Sequence, residues 1–472
     1  MSNRQYEFFG QDPNFPTKLV TFTVLIGAFF GYLNETLLNV ALTHLMVEFH
    51  IDKTTVQWMA TGFLLVMGAF TPLTANVIQW FTTRTMLLVT LITFVVGTLI
   101  CAFATSFPML LGGRFIQAVS AAFTVPILFN TILLIYPPDR RGTIMGIITM
   151  MFMVAPAIGP TLSGVIVDYF GWRYLFLLTV PFILLSIALA ILFLKINLQP
   201  LNRPKIDCLS VFLSILGLGT LVYSTSNFAI LSLPVFGTLF VGSMILIAWF
   251  AKRQTILTEP LVDLSVFQVK QYRYAMIILA ILMFVFIGAE LIMPMYMQQV
   301  VLLSGTATGL ILLPGSVVQA FLSPLMGNQL DKRGARPIVV PGTILMCVTF
   351  VLMMLFFNID SSNWLLTVIF MLLPISVSMI VVSETHGLNA LPKEMYPHGT
   401  AIISTINPIA GAVGAAFFVG VTHMGEKLYS TTEITSETPR LAMMSGVLLA
   451  FGIAIGMSLI TLYFANKLRR SI

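Results

Sequence analysis

Charge is what this 472-residue sequence has least of. Only 9% of its residues are Asp, Glu, Lys or Arg and 58% are hydrophobic, whereas an ordinary soluble domain carries about a quarter charged residues. A water-soluble fold is excluded. Cysteine is nearly absent as well: Cys101, Cys208 and Cys347 fall in apolar segments or beside a basic loop, so no extracellular disulfide framework is indicated and packing is the role expected of them. Histidine is scarce, and no two His residues sit at i and i+4, which removes the zinc-protease pattern; no Lys follows a Gly, which removes a Walker A loop. Long polar loops are lacking too, the largest being Lys252 to Arg273 and Thr422 to Arg440. There is no room for a soluble catalytic domain, so neither ATP hydrolysis nor a metal or other cofactor is expected. The net charge of +6 carries no nucleic-acid reading, because its location gives it another meaning.

What the sequence has in abundance is apolar runs of bilayer-spanning length. Six lie between Leu19 and Leu194, two between Leu209 and Phe250, and six between Tyr274 and Phe464, fourteen in all. The run from Leu209 is the weakest, since Ser224 to Asn227 interrupts it. Met1 to Lys18 is polar, mixed in charge and without a cleavage-site pattern, so the first run reads as a retained helix. With the N-terminus placed inside, only Lys53, Arg173, Lys427 and Arg440 of the 24 Lys and Arg fall in outer segments, and Arg114 alone falls within a helix. The positive-inside rule therefore predicts a multi-pass cell-membrane protein with both termini cytoplasmic. The fold class is all-α: two six-helix bundles, residues 1–195 and 274–472, flanking two inserted helices and inner linkers in 196–273. Weak repetition supports the halves, Ala60-Thr61-Gly62 and Ala307-Thr308-Gly309 each leading to Pro-Leu before a short inner loop.

Several motifs then point to a family. Gly327-x-x-x-Asp331-Lys332-Arg333-Gly334-x-Arg336 resembles the inner-loop signature of the major facilitator superfamily, and Arg114-x-x-Gln117, Gly159-Pro160-x-x-Ser163-Gly164 and Gly171-Trp172-Arg173-Tyr174 are similar to elements of the same family. The Gly159-Pro160 element with Gly164 resembles the antiporter motif of drug exporters, and fourteen helices point to the fourteen-helix drug:proton antiporters. Three positions depart from the pattern: Gln79 stands where the first inner loop usually has Asp, Ala155 replaces a Gly before Gly159-Pro160, and Ala118 replaces a Gly after Gln117. The first helix carries Asn34-Glu35-Thr36-x-x-Asn39, with the acid displaced by one residue from the family's Asp. One residue is about 100° of rotation on a helix, so Glu35 is judged on its own chemistry.

Four charges lie within the predicted helices: Glu35, Glu290, Glu384 and Arg114. An ionised side chain at mid-bilayer costs about 2.5–3.5 kcal/mol even on lenient scales, so such groups face a cavity, pair, or take up protons. These four are the proton-coupling candidates. Glu35 lies roughly 25 Å along its helix from Lys18 and Glu290 about as far from Arg273, which predicts a shared depth and a site between the two acids. The plainer alternative for each acid is a hydrogen-bonded packing residue, and for Arg114 a structural clamp. Glu384, in Ser383-Glu384-Thr385-His386 near an inner helix end, reads either as a coupling group or as a wet interfacial one. Tyr32 at i−3 from Glu35, and Phe286 and Met293 flanking Glu290, share faces with the acids; with Asn34, Asn39 and Gln117 they are the substrate-cavity candidates, ordinary packing being the alternative. Gly159-Pro160 loosens a helix by removing a backbone donor. Gly327, Asp331, Arg333, Gly334 and Arg336 read as a solvated topology-setting loop or as a latch holding one access state.

The reading is secondary active transport: proton-coupled export of hydrophobic or cationic small molecules, by a monomer embedded in the lipid bilayer, without nucleic-acid partners or enzymatic activity. Export of an endogenous metabolite or lipid is the alternative transporter. A sensor, or a membrane enzyme using Glu384 and His386, is the remaining class.

Overall fold

Each predicted apolar run folds as helix, because a chain in lipid must satisfy its backbone hydrogen bonds internally. The computed structural model describes residues 8–51, 53–195, 197–198, 201, 205, 207–227, 231–429 and 438–469. The first half comprises α1 (Thr17–Glu48), α2 (Lys53–Phe70), α3 (Thr74–Trp80), α4 (Thr83–Ala102), α5 (Phe107–Ile135), α6 (Pro138–Phe170) and α7 (Arg173–Phe193). Then come α8 (Cys208–Ser226) and α9 (Leu233–Gln254). The second half comprises α10 (Lys270–Gln299), α11 (Gly305–Arg333), α12 (Arg336–Phe356), α13 (Asn363–Val377), α14 (Ile380–Asn389), α15 (Tyr396–Tyr429) and α16 (Thr438–Ala465). Two crossings are broken: α2 passes into α3 through a 3-10 turn at Thr71–Leu73 containing Pro72, and α13 passes into α14 after Pro374. Both breaks follow from a proline that supplies no backbone donor.

Among the described residues, 13 helices or broken helices are long and apolar enough to cross a membrane. The long helix α6, of 33 residues, completes the predicted fourteen. The doubtful run from Leu209 is α8, capped at its start by Asp207, whose side chain accepts from the Ser210 N–H at 2.9 Å. Asp207 also receives both Nε and Nη2 of Arg253, at 2.6 and 2.8 Å, tying the start of α8 to the end of α9. The Arg253 guanidinium holds the Asp207 carboxyl well below the usual carboxylate range.

The two inserted helices are unequal. α9 buries little beyond Ser243 and Gln254, as a lipid-facing helix would. α8 packs against α2 of the first half and α15 of the second, with Tyr223 stacked on Trp58 at 5.9 Å. Between the halves proper, α6 runs along α11. Both of these helices end on a glycine with positive φ, Gly171 at 87° and Gly334 at 76°, a conformation that a side chain would strain. The following Trp172 and Arg173 both bind Glu48 at the far end of α1, at 2.6 and 2.8 Å. Burial alone would raise the Glu48 carboxyl, but these hydrogen bonds and the Arg173 charge outweigh it and hold it below its ordinary value. Of the cysteines, Cys101 is buried as expected, whereas Cys208 is exposed at the start of α8.

Candidate functional site

A cavity of about 650 Å³ lies between the halves, with walls from α1, α2, α5 and α6 on one side and α10, α14 and α15 on the other. That volume suits a drug-sized ligand. Its surface is mostly apolar, with Phe94, Phe129, Phe152, Phe286, Met153 and Met283 among the lining side chains. Flat rings and flexible thioethers accommodate ligands of varied shape. Among the described lining residues there is no Lys, Arg or His, and the two carboxyl groups are Glu35 and Glu384.

Glu35 lines the cavity wall. It makes no hydrogen bond or contact ion pair with the described residues, and the charge that acts on it is Arg114. Tyr32, one turn earlier, also lines the cavity, with its ring 5.0 Å from that of Phe152. It lies within electrostatic reach of both Glu35 and Glu290. Glu290 itself stands off the cavity wall and is exposed, while its neighbours Phe286, Ile287 and Leu291 line the cavity.

Three cavity assignments from the sequence, Met293, Asn34 and Gln117, need correction. Met293 is fully buried in the second-half core, because the 60° between positions i and i+3 carries it off the narrow exposed strip of α10. Asn34, one residue from Glu35 and hence rotated by about 100°, points away from the cavity and accepts from Arg114 Nη1 at 3.2 Å. Gln117 is likewise buried, accepting from Arg114 Nη1 at 3.0 Å and donating to Thr98 at 2.8 Å. Arg114, only 1% exposed, lies 4.3 Å above the Phe63 ring and is therefore a clamp within the first half whose charge reaches Glu35 through space. The side chains of Asn39 and Pro160 lie outside the described residues.

Gly159 lies against Thr36, next to Glu35: a Cβ there would collide with the Thr36 side chain. Thr36 donates to the Ala155 carbonyl at 3.3 Å, and Ser163 donates to the Leu37 carbonyl at 2.6 Å. The small-residue element of α6 thus seats the α1 turn that carries Glu35, as close helix packing in membranes requires. Gly164 has open space around it and plays no such part.

Hydrogen bonds between the halves gather at the end that carries both termini. Asp331, at the end of α11, accepts from the Gly142 N–H at 2.7 Å, the Thr143 N–H at 2.8 Å and the Thr143 hydroxyl at 2.7 Å, all on the first turns of α6. A carboxylate there also complements the positive end of the helix dipole. Gly327 and Gly142 face one another so closely that a Cβ on either would overlap the other's carbonyl. Gly334 terminates α11, Arg336 reaches Asn466 at 3.4 Å, and Arg333 faces a separate small hollow beside α12. Asp331 and Gly327 therefore make the seal, and the basic residues of the motif do not cross it. Asp331→Asn should slow transport about tenfold or more while equilibrium substrate binding changes less than about twofold, because it biases access states and not the site. Lost binding with normal turnover would contradict this.

Two parts of the seal escaped the sequence reading. Arg141, counted only as a topology-setting charge, is fully buried. It donates to the Leu133 and Tyr136 carbonyls at the end of α5, at 2.5 and 2.8 Å, and across the interface to Asn389 at 2.9 Å and Tyr396 at 3.1 Å. Gln79, the departure from the family pattern, meets His398 of α15 at 3.4 Å. Of the two readings of Glu384, the wet interfacial one does not hold: it is buried, on the cavity wall, and accepts from Asn407 Nδ2 at 2.7 Å.

The family model for the Major Facilitator Superfamily matches residues 24–415. The chain belongs to this superfamily. It is 37% identical over 462 residues to the lincomycin resistance protein LmrB of Bacillus subtilis (strain 168), covering 96% of this chain and 95% of that one. It is 25% identical over 412 residues to a multidrug resistance protein B homolog of Mycobacterium tuberculosis (strain CDC 1551 / Oshkosh), covering 83% and 74% of the two chains. Among solved structures, the human organic anion transporter MFSD10 (TETRAN) matches with a TM-score of 0.66 at 14% identity, over 95% of this chain and 99% of that one, a likeness of fold alone. The superfamily member described here is an all-helical, multi-pass membrane transporter whose cavity sits where its two halves meet.

Proposed function

We propose that this chain exports hydrophobic or cationic small molecules by proton antiport. The observation that carries the reading is the cavity between the halves, apolar, drug-sized and bearing Glu35 on its wall, sealed at the terminus-bearing end by Asp331, Arg141 and the Gly142–Gly327 contact. Resistance to lincomycin and to multiple drugs, named for its relatives, supports export of drugs.

With the sealed end cytoplasmic, the arrangement is the outward-accessible one. Glu35 takes up a proton from outside and loses its charge, which removes the cost of enclosing it in an apolar site. Residues 1–195 and 274–472 then rock against one another, breaking the Asp331 and Arg141 contacts and opening the cavity inward. Substrate binding there favours release of the Glu35 proton, through a cationic group or a shift of the Arg114 field, and the reverse movement carries substrate out. A ligand drives such a cycle only through its differential affinity for the two states. Glu290, exposed beside the cavity, serves as an outer proton relay through Tyr32. A monomer contains every part.

Expression in a drug-hypersensitive bacterium tests the reading: tolerance to a lincosamide or to lipophilic dyes should rise severalfold, and a protonophore should abolish the gain. Unchanged tolerance across such a panel, with the protein present in the membrane, would contradict it.

A further inference from the structure

The coupling scheme leaves one buried acid without a role. Glu384 of α14 is 7% exposed and lies on the cavity wall, bound to the Asn407 amide nitrogen. That bond aims Asn407 Nδ2 at the acid and leaves Asn407 Oδ1 with no partner; Ser404 Oγ has none either. Ser404 and Asn407 are three residues apart on α15 and so share a face, and both line the cavity. Pro408, the next lining residue, sits inside α15 and has no N–H to donate to the carbonyl of residue 404, four positions before it. The wall therefore gathers a carboxyl, a carboxamide oxygen, a hydroxyl and a backbone carbonyl relieved of its helical donor. These are acceptors, and no lining residue of the described set is basic.

We propose that Glu384, Asn407 and Ser404 form a subsite for the protonated amine of a primary or secondary amine substrate. This rests on the export reading and specifies its substrate. An acceptor-rich wall needs a ligand that supplies N–H donors, and unmet acceptors in a buried site are costly until they are met. A quaternary ammonium has the charge but no N–H, and an alcohol has a donor but no charge; of the three, the protonated amine satisfies both. Charge-assisted hydrogen bonds of this kind are about twice as strong as neutral ones. The hydrocarbon part of the ligand lies against Phe286 and Met283 of α10, on the same cavity wall. Glu384 is then a specificity determinant, separate from Glu35, which carries the proton.

The test uses calorimetric binding to the purified, detergent-solubilised full-length chain at neutral pH, with 4-phenylbutylamine, its N,N,N-trimethylated form and 4-phenylbutanol as probes. The amine should bind about tenfold or more tighter than either of the others. Glu384→Gln should reduce its preference over the alcohol to about twofold or less, and Ser404→Ala should weaken the amine about threefold while leaving the trimethylated probe unmoved. Equal affinity of the amine and its trimethylated form would overturn the proposal, since charge alone would then explain binding. Loss of the preference in Glu35→Gln and its retention in Glu384→Gln would also overturn it, by moving the amine to the other acid. Should Glu384→Gln fail to fold, Ser404→Ala still decides between a built acceptor site and a diffuse negative cavity. Equilibrium binding needs neither a gradient nor turnover, so failure here leaves proton-coupled export to be judged by its own flux measurement.

Discussion

Glu35→Gln should abolish pH-driven uphill transport while the protein still folds and still exchanges substrate across the membrane. Glutamine keeps the size and hydrogen-bonding capacity of glutamate but cannot titrate. Glu35 is suited to the exchange because it makes no hydrogen bond among the described residues that glutamine would have to reproduce, and because it stands on the cavity wall. A gradient of about two pH units is worth about 2.7 kcal/mol per proton, which at one proton per neutral substrate sustains about a hundredfold concentration ratio. The native protein in proteoliposomes should approach that ratio, and Glu35→Gln should stay near unity while counterflow exchange persists. Glu290→Gln should slow the approach without lowering the final ratio, as expected of a relay standing off the wall. If Glu35→Gln, alone and combined with Glu290→Gln, still concentrates substrate with native pH dependence, the coupling assignment is wrong.

Gly327→Leu should all but stop transport by a different route, since the seal at the end bearing the termini could no longer close. Gly142 and Gly327 bring α6 and α11 together at a distance no Cβ tolerates, and Gly146 does the same against Pro324. A leucine at 327 forces these helices toward the interaxial separation of ordinary pairs, about 8–10 Å. The Asp331 bonds to Gly142 and Thr143, at 2.7 and 2.8 Å, cannot survive that movement. Spin labels on Arg140 and Lys332, both exposed beside the seal, should therefore move apart by several ångströms in Gly327→Leu, with a smaller shift in Gly327→Ala. Native label distances together with native turnover would show that the close contact has no part in the cycle.

The crossings were legible because hydropathy is a local property: each run of apolar residues reveals its own helix, and even the interrupted run from Leu209 emerged as α8. Glu35 and Glu384 were legible for a related reason, a charge within an apolar run being costly unless it does something. Which way a side chain points is a different matter. Asn34 and Met293 were assigned to the cavity by adjacency to an acid, yet rotations of about 100° and 60° send one to Arg114 and the other into the core. Arg141 was misread because Asp139-Arg140-Arg141 looks like any basic inner loop. Its burial depends on Asn389 and Tyr396, about 250 residues away, a pairing that no local pattern encodes. Ser404, Asn407 and Pro408 did leave a trace, as polar and helix-breaking residues within an apolar span, but their meaning required α14 to be placed beside them.

The most direct test of proton antiport is substrate-driven proton flux in proteoliposomes without an imposed pH gradient, followed by a lumenal pH dye. A neutral substrate moving down its own gradient should drive protons the opposite way, at a fixed ratio to the substrate moved, and Glu35→Gln should move substrate without the pH change. Substrate flux unaccompanied by any proton movement in the native protein would contradict the account.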